Sequence, residues 1–267
     1  QFGVTVVMAP REEGLLDVQR HGKCTDESLG LRLSEVVATR EDISGARTCL
    51  KELESLVFEF GWKARPFGSL CNGFATHGSD LDISCCPHGC LGEEAPSALQ
   101  MLEQVLPRLL SHSKFQVVDI VRAAMVPIVK VNFQKGLAVD LSFRNTKPLP
   151  NTQLLRAYAE LDPRVRDLVV MVKLWAKAAG VCGAPSGHLS AYSFSLMVLY
   201  FLQVDPRTRM PCLNTASFTG EGGMPMAARV PWSCKLGRSE LLLLFFGFFS
   251  SEFRWGTEVV SVRVGRR

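Results

Sequence analysis

The chain has 267 residues, of which 47% are hydrophobic and 21% are charged. This balance excludes an intrinsically disordered protein, and the length is enough for one large or two ordinary domains. Thirty Lys and Arg against 26 Asp and Glu give a formal net charge of +4, which permits contact with a polyanion without identifying one. Nine cysteines without an evident disulfide framework favour a reducing compartment.

The first part of the chain mixes helical and strand-like patterns. Apolar residues at helical intervals predict one helix over Asp42 to Phe60 and a second over Glu93 to Leu110. Alternating patterns predict strands over Val117 to Val121, Val126 to Phe133 and Leu137 to Phe143. We therefore expect a small α+β domain over residues 61–150, preceded by an N-terminal segment and helix over residues 1–60 that pack on the rest.

The second part, residues 151–267, is predicted to be a helical domain. The predicted helices cover Asn151 to Tyr158, Pro163 to Ala179, Ser190 to Gln203 and Arg238 to Phe253. Leu241 to Phe249 is apolar apart from Gly247, but it is too short to span a bilayer and is predicted to be a buried core helix. The stretch from Asp205 to Leu236 has little periodicity and predicts a loop or an insertion.

The most informative motif places a Gly68-Ser69 turn upstream of two carboxylates, Asp80 and Asp82. Polar and apolar residues alternate from Asp80 to Ile83, so a strand would place both carboxylates on one face. A third strand-borne acid, Asp140, lies within Leu137 to Phe143. Carboxylates suit Mg2+, and a pair of such ions can clamp the attacking and leaving oxygens of a phosphoryl transfer. A Gly-Ser turn that opens a helix offers backbone N–H groups to a triphosphate.

Two alternatives accompany this interpretation. Asp80 and Asp82 could belong to a solvated turn, because Gly-Ser-Asp is also ordinary turn chemistry. The combination of the Gly-Ser turn, the paired acids and the later acid favours catalysis. A cluster of possible zinc ligands lies downstream and consists of Cys85, Cys86, His88 and Cys90. It lacks a second ligand pair of the usual form, so a sulfur-rich loop is the favoured interpretation.

Basic and aromatic residues of the helical part could hold a substrate. Lys173 and Lys177 stand four residues apart on a predicted helix and can grip a triphosphate, although a solvated helix face is the alternative. Tyr192 begins the next helix and could stack on a base, and a core tyrosine is the alternative. Arg122 and Arg263 could contact RNA or phosphate, and an ordinary surface arginine is the alternative for each.

In this order, the motifs resemble one family. They are Gly68-Ser69, Asp80-x-Asp82, Asp140, Asn151-Thr-Gln-Leu-Leu, Leu168 to Lys177, Leu189-Ser-Ala-Tyr192 and Glu240 to Phe246. From about Leu50 onwards, the chain resembles the poly(A) polymerases and terminal uridylyltransferases of the DNA polymerase beta-like nucleotidyltransferase superfamily. Within that family it looks most like the small mitochondrial terminal uridylyltransferases of trypanosomatids, including those of editosome-like complexes.

The resemblance implies a bilobal α+β enzyme, with a cleft between a small mixed-sheet catalytic domain and a helical, poly(A) polymerase-associated domain. It implies that Asp80, Asp82 and Asp140 are catalytic and hold Mg2+ or Mn2+. It also implies a UTP site, in which the triphosphate meets Gly68, Ser69, Lys173 and Lys177, the ribose meets Asn151, and the base meets Ser190 and Tyr192.

Two departures concern base recognition. Ala191 stands where many family members carry a second serine. Arg254 occupies a position where relatives often place an acid, and an arginine cannot accept a hydrogen bond. Uracil selection is therefore expected to differ, with Arg254 donating to a uracil carbonyl or with Glu252 or Glu258 as the acceptor.

The expected activity is transfer of UMP from UTP to the 3' end of single-stranded RNA with release of pyrophosphate, by a two-metal mechanism. A poly(A) polymerase or a tailing enzyme of mixed nucleotide preference is the nearest alternative. A catalytically inactive RNA-binding scaffold is the alternative from another class. The resemblance further implies a mitochondrial location and an editosome-like protein complex as a partner, while no membrane partner is expected; a targeting peptide cannot be read from a chain that begins with Gln1.

Overall fold

Two hydrophobic cores organise the computed structural model, which describes residues 26–88, 96–134, 136–222 and 230–267. One core lies between a sheet and two helices, and the other lies within a bundle of helices. This arrangement confirms the predicted α+β fold with a mixed sheet and a helical part.

The sheet contains five strands in the order β1-β2-β5-β4-β3. The strands are β1 (Trp62–Phe67), β2 (Leu81–Pro87), β3 (Phe115–Val121), β4 (Ile128–Phe133) and β5 (Leu137–Phe143). β2 and β5 run parallel, and the other neighbouring pairs run antiparallel. Because side chains alternate between faces, Ile83, Val129 and Leu141 enter the sheet core, while Asp82 and Asp140 lie on the opposite face.

The helices fall into two groups. Those on the sheet side are α2 (Arg40–Phe58), α3 (Ser69–Asn72) and α4 (Ala98–Ser111). Those of the helical part are α1 (residues 26–36), α5 (Pro148–Leu161), α6 (Pro163–Ala178), α7 (Ala191–Val204) and α8 (Arg238–Gly247), and a π turn at Phe248–Glu252 follows α8. In the described part of the chain, no helix combines the length and apolarity that a bilayer crossing requires.

Local signals explain where the helices begin and end. Thr39 and Asp42 form a capping box at the start of α2, and α2 ends at Phe58 rather than Phe60 because Gly61 follows with φ 71°. Ser97 caps α4, so the predicted start at Glu93 was too early for the described helix, and residues 93–95 lie outside the described ranges. Pro148 begins α5 before the predicted start at Asn151.

The loop between α3 and β2 crosses from one lobe to the other. Phe74 lies in this loop, yet its side chain is 1% exposed and belongs to the helical core. Its carbonyl oxygen accepts a hydrogen bond from Lys173 Nζ on α6 at 2.7 Å. The α1–α2 link holds the same loop, since Ala38 N donates to Ala75 O and His77 N donates to Val36 O. The loop that leads into Asp80 is therefore fixed by the helical lobe.

We predict that Phe74→Ala lowers the free energy of unfolding by about 3–5 kcal/mol, because a large buried ring is lost without replacement. Phe58→Ala is the matched control, since the Phe58 side chain is 72% exposed and its loss should cost less than about 0.5 kcal/mol. Denaturant unfolding of both variants checks this. A Phe74→Ala protein as stable as the Phe58→Ala protein would show that the loop is not anchored by its ring.

Candidate active site

Three carboxylates meet where β2 and β5 lie side by side. Asp82 on β2 stands opposite Asp140 on β5, and Asp80 immediately precedes β2. One oxygen from each of the three side chains lies within 4.8 Å of the others. Parallel pairing produces this cluster, because it places equivalent positions of the two strands next to each other on one face. In the described residues, no other group of three His, Cys, Asp or Glu side chains could hold a metal; Cys90 lies outside these ranges.

The proximity of the three acids changes the protonation of the central one. Burial, followed by the negative charges of Asp80 and Asp140, raises the pKa of Asp82 to about 7, while Lys130 opposes the shift. Lys130 Nζ donates to both carboxylate oxygens of Asp140, at 2.9 and 3.1 Å. A proton and a lysine thus partly neutralise the negative charge of the cluster.

The Gly68-Ser69 turn lies directly against the carboxylates. A Cβ atom on Gly68 would stand 1.9 Å from Asp82 Oδ2, so only a glycine allows this approach. Gly68 has φ 76°, and Ser69 begins the single-turn helix α3. Gly68 N donates to Thr152 Oγ1 at 3.1 Å, which places the first turn of α5, with the exposed Asn151, beside the turn.

Lys173 and Lys177 connect the cluster to the helical part. Lys173 is buried. Desolvation, followed by the positive charge of Lys177, lowers the pKa of its ammonium group to about 8, while Cys182 and Asp80 oppose the shift. Lys177 is exposed. These two positive charges and Asp80 therefore share one region, and the role of the lysines as a phosphate-binding pair stays a prediction.

Ser190 and Tyr192 lie at the start of α7. Ser190 Oγ caps the helix by accepting from Ser193 N at 3.1 Å, and this interaction occupies part of its hydrogen-bonding capacity. Tyr192 is 44% exposed, so its ring is accessible for stacking. Leu189 forms an isolated β-bridge with Cys182, and Cys182 interacts electrostatically with Lys173. The start of α7 is therefore connected to the region of the lysine pair.

The remaining predicted residues have other partners. Glu258 accepts from Tyr200 Oη at 2.9 Å and from Arg267 at 2.8 Å, and its contact with Arg254 is to the Arg254 backbone N. Arg122 pairs with Glu103 at 2.7 Å, and Arg263 is exposed. No contact among the described residues joins these side chains to the acidic cluster, so their roles stay predictions.

Two residues of the site were missed from the sequence. Thr152 lies next to Asn151 and carries no separate motif. Lys130 lies within the predicted strand from Val126 to Phe133, which by itself assigns it no role. The short connection from Phe133 to Leu137 fixes the register of β4 on β5. Counting back from that connection would have placed Lys130 opposite Asp140.

With this geometry in place, similarity to known proteins decides the family. Residues 27–160, about half of the chain, match the family described as "Poly(A) RNA polymerase, mitochondrial-like, central palm domain". The chain belongs to this family of nucleotidyltransferases. The match includes the Gly68-Ser69 turn, all three acids and Asn151.

Members of this nucleotidyltransferase family with different named activities resemble the chain. It is 33% identical over 245 residues to poly(A) RNA polymerase GLD2 of Danio rerio, covering 85% of this chain and 49% of that protein. It is 40% identical over 144 residues to human terminal uridylyltransferase 7, covering 54% of this chain and 10% of that protein. The chain therefore spans at most about half the length of these two relatives.

A solved structure supports the fold of this family member along most of its length. The GLD-2/RNP-8 complex matches 91% of this chain and 80% of the compared chain, with 26% identity and a TM-score of 0.79. The neighbours bear out the poly(A) polymerase and uridylyltransferase family, whereas the narrower likeness to trypanosomatid enzymes stays a prediction.

The donor set of the acidic cluster suits a hard divalent cation. All three groups of the cluster are carboxylates, and three negative charges within 4.8 Å are unfavourable without a counter-ion. Burial raises the pKa of Asp82 most, and the negative charges of Asp80 and Asp140 contribute to the same shift. Asp80, Asp82 and Asp140 are thus the residues that would hold the cation.

We predict that Mn2+ or Mg2+ binds with a pH-dependent affinity. Above pH 7 Asp82 is ionised, whereas below pH 7 a cation must displace its proton, so the apparent affinity should fall by up to about tenfold per pH unit. Titration calorimetry between pH 6 and 8 checks this. Asp82→Asn should bind weakly at every pH, while Glu59→Gln, which alters an exposed acid at the end of α2, should behave as wild type. An affinity that does not change with pH would argue against Asp82 as a ligand.

Proposed function

We propose that this chain carries the catalytic core of an RNA nucleotidyltransferase that adds UMP from UTP to RNA 3' ends and releases pyrophosphate. The observation that carries the proposal is the approach of Gly68 to Asp82, because it brings a backbone suited to a triphosphate into contact with a carboxylate cluster suited to a divalent cation. A protein that only binds RNA has no need for this juxtaposition.

In the proposed reaction, the RNA 3'-hydroxyl attacks the α-phosphate of the nucleotide, and pyrophosphate leaves. Asp80, Asp82 and Asp140 would hold a divalent cation, which would supply Lewis-acid stabilisation of the developing charge. The backbone N–H of Ser69, at the start of α3, holds the triphosphate, whereas the N–H of Gly68 donates to Thr152 Oγ1 and keeps the turn in place.

The helical lobe contributes charge and shape to the same substrate. Lys173 is fixed by Phe74 O and lies near Asp80, so its ammonium group can hold the phosphates in one position. Lys177 adds an exposed positive charge. Tyr192 offers an accessible ring for the base, and Asn151 lies in the turn of α5 that contacts Gly68 through its neighbour Thr152.

Transfer of AMP from ATP is the second candidate. It is favoured by the relative that covers 85% of this chain, which is named a poly(A) RNA polymerase. Arg254, Glu252 and Glu258 are the base-selecting residues expected from the sequence. In the structure, Glu258 already pairs with Tyr200 and Arg267, and Glu252 lies 3.4 Å from Arg207. That arrangement leaves Arg254 as the proposed donor to a uracil carbonyl. The mitochondrial location and the editosome-like partner stay predictions.

Extension of a labelled single-stranded RNA with Mg2+ and each nucleoside triphosphate in turn tests this proposal. We predict products with UTP in excess of those with ATP, and loss of extension by at least about a thousandfold in Asp80→Ala and Asp82→Ala. Products with ATP alone would select the second candidate. Retention of substantial activity by Asp82→Ala would overturn the catalytic assignment of the cluster.

A matched pair of variants then tests base selection. Arg254→Asp should change the ratio of UTP to ATP use by about tenfold if Arg254 contacts the base. Arg266→Asp makes the same charge change at another exposed arginine near the C-terminus and should leave the ratio unchanged. An unchanged ratio in Arg254→Asp would remove Arg254 from the site.

A further inference from the structure

Lys130 occupies a defined place in a row of charges across the sheet. On β4, it stands directly opposite Asp140 on β5, and Asp140 in turn stands opposite Asp82 on β2. On its other side, Lys130 stands opposite Asp119 on β3. The row across four strands therefore reads Asp119, Lys130, Asp140 and Asp82, with one lysine between an isolated acid and the acidic cluster.

A β-bulge produces this row. The register of β3 on β4 shifts between Val117 and Asp119, so Val118 is left without an opposite residue on β4. In a regular ladder, Val118 rather than Asp119 would face Lys130. The bulge thus turns a second carboxylate towards the lysine, while the Val118 side chain is 59% exposed and gains no burial from the arrangement.

The ammonium group of Lys130 forms an ion pair with the carboxylate of Asp140. Nζ lies 2.9 and 3.1 Å from the two carboxylate oxygens, and it also interacts electrostatically with Asp80 and Asp119. The Lys130 side chain is 43% exposed, so it has room to change its conformation. Both oxygens of Asp140 are therefore engaged by a cation of the protein itself, although Asp140 is one of the three proposed metal ligands.

We propose that Lys130 is a positioning residue that acts as an internal counter-ion, holding Asp140 in the metal-free enzyme and moving to Asp119 when a divalent cation binds. This inference rests on the proposed metal site. In the metal-free state, Lys130 reduces the repulsion within the cluster and keeps the Asp140 carboxylate oriented. When the cation is bound, two positive charges would share one carboxylate. Asp119 offers the lysine another partner without any change in the pairing of β3 with β4.

The first test is Mn2+ binding followed by electron paramagnetic resonance, without nucleotide or RNA. Lys130→Met removes the competing charge but keeps an unbranched side chain, and it should bind Mn2+ about tenfold more tightly than wild type. Lys130→Arg keeps the charge and should stay within about threefold of wild type. Lys51→Met removes an exposed lysine of α2 and should bind as wild type does. Unchanged or weaker binding by Lys130→Met would overturn the inference.

Asp119→Asn tests the second half of the proposal. Without that acceptor, Lys130 leaves Asp140 less readily, so Mn2+ binding should weaken by about threefold. The same substitution in a Lys130→Met background should have no effect, because no lysine remains to be moved. Equal effects of Asp119→Asn in both backgrounds would overturn the movement to Asp119.

A measurement on the wild-type protein does not depend on whether the substituted proteins fold. Acetylation of lysines by acetic anhydride, followed by mass spectrometry, should modify Lys130 faster when Mg2+ is added, with Lys51 as the unchanged reference. Absence of a change at Lys130 under saturating Mg2+ would overturn the inference. If the wild-type protein binds no Mn2+, the proposed metal site is wrong as well. If Mn2+ binds with an affinity that substitution of Lys130 does not change, only the role of Lys130 is wrong.

Discussion

The mutual repulsion of three carboxylates is the constraint on which the rest of this structure depends. Asp80, Asp82 and Asp140 have oxygens within 4.8 Å of one another, and such a cluster is stable only if positive charge or protons compensate it. The structure supplies both, through the raised pKa of Asp82 and the ion pair between Lys130 and Asp140. Compensation by a proton and a lysine can be exchanged for a divalent cation, which is what a phosphoryl-transfer site requires.

The surrounding fold keeps this unfavourable cluster in place. One face of the sheet packs its aliphatic side chains against α2 and α4, so the strands that carry the acids cannot shift without disrupting a core. The loop before Asp80 is held from the helical lobe, where the Phe74 ring is buried and its carbonyl binds Lys173. The same lysine lies near Asp80, so one interaction both joins the lobes and adds positive charge to the site.

Local patterns predicted the strand-borne acids and the starts of α6 and α8, whereas the start of α4 was predicted too early and that of α5 too late. Alternation over two short segments was enough to place Asp82 and Asp140 on the same face, and the pairing of β2 with β5 then brought them together. Features that depend on register or on distant packing were not predictable in this way. The bulge at Val118 leaves no mark in the hydrophobic pattern, and nothing near Phe74 in the sequence shows that a loop residue enters the core of the other lobe.

Substrate choice depends on fewer contacts than the chemistry does. The family match covers the turn and the three acids, and relatives named for poly(A) and for uridylyl transfer are both similar to the chain. A difference of a few contacts at the base edge is enough to separate the two activities. The proposed chemistry of the acidic cluster does not depend on which base is selected.

Anomalous X-ray diffraction from crystals grown with Mn2+ at pH 8 tests the central claim most directly. The predicted result is a Mn2+ peak within about 2.6 Å of oxygens from Asp80, Asp82 and Asp140. A strong peak elsewhere, with the three carboxylates free of metal, would contradict the account of this cluster as a cation site.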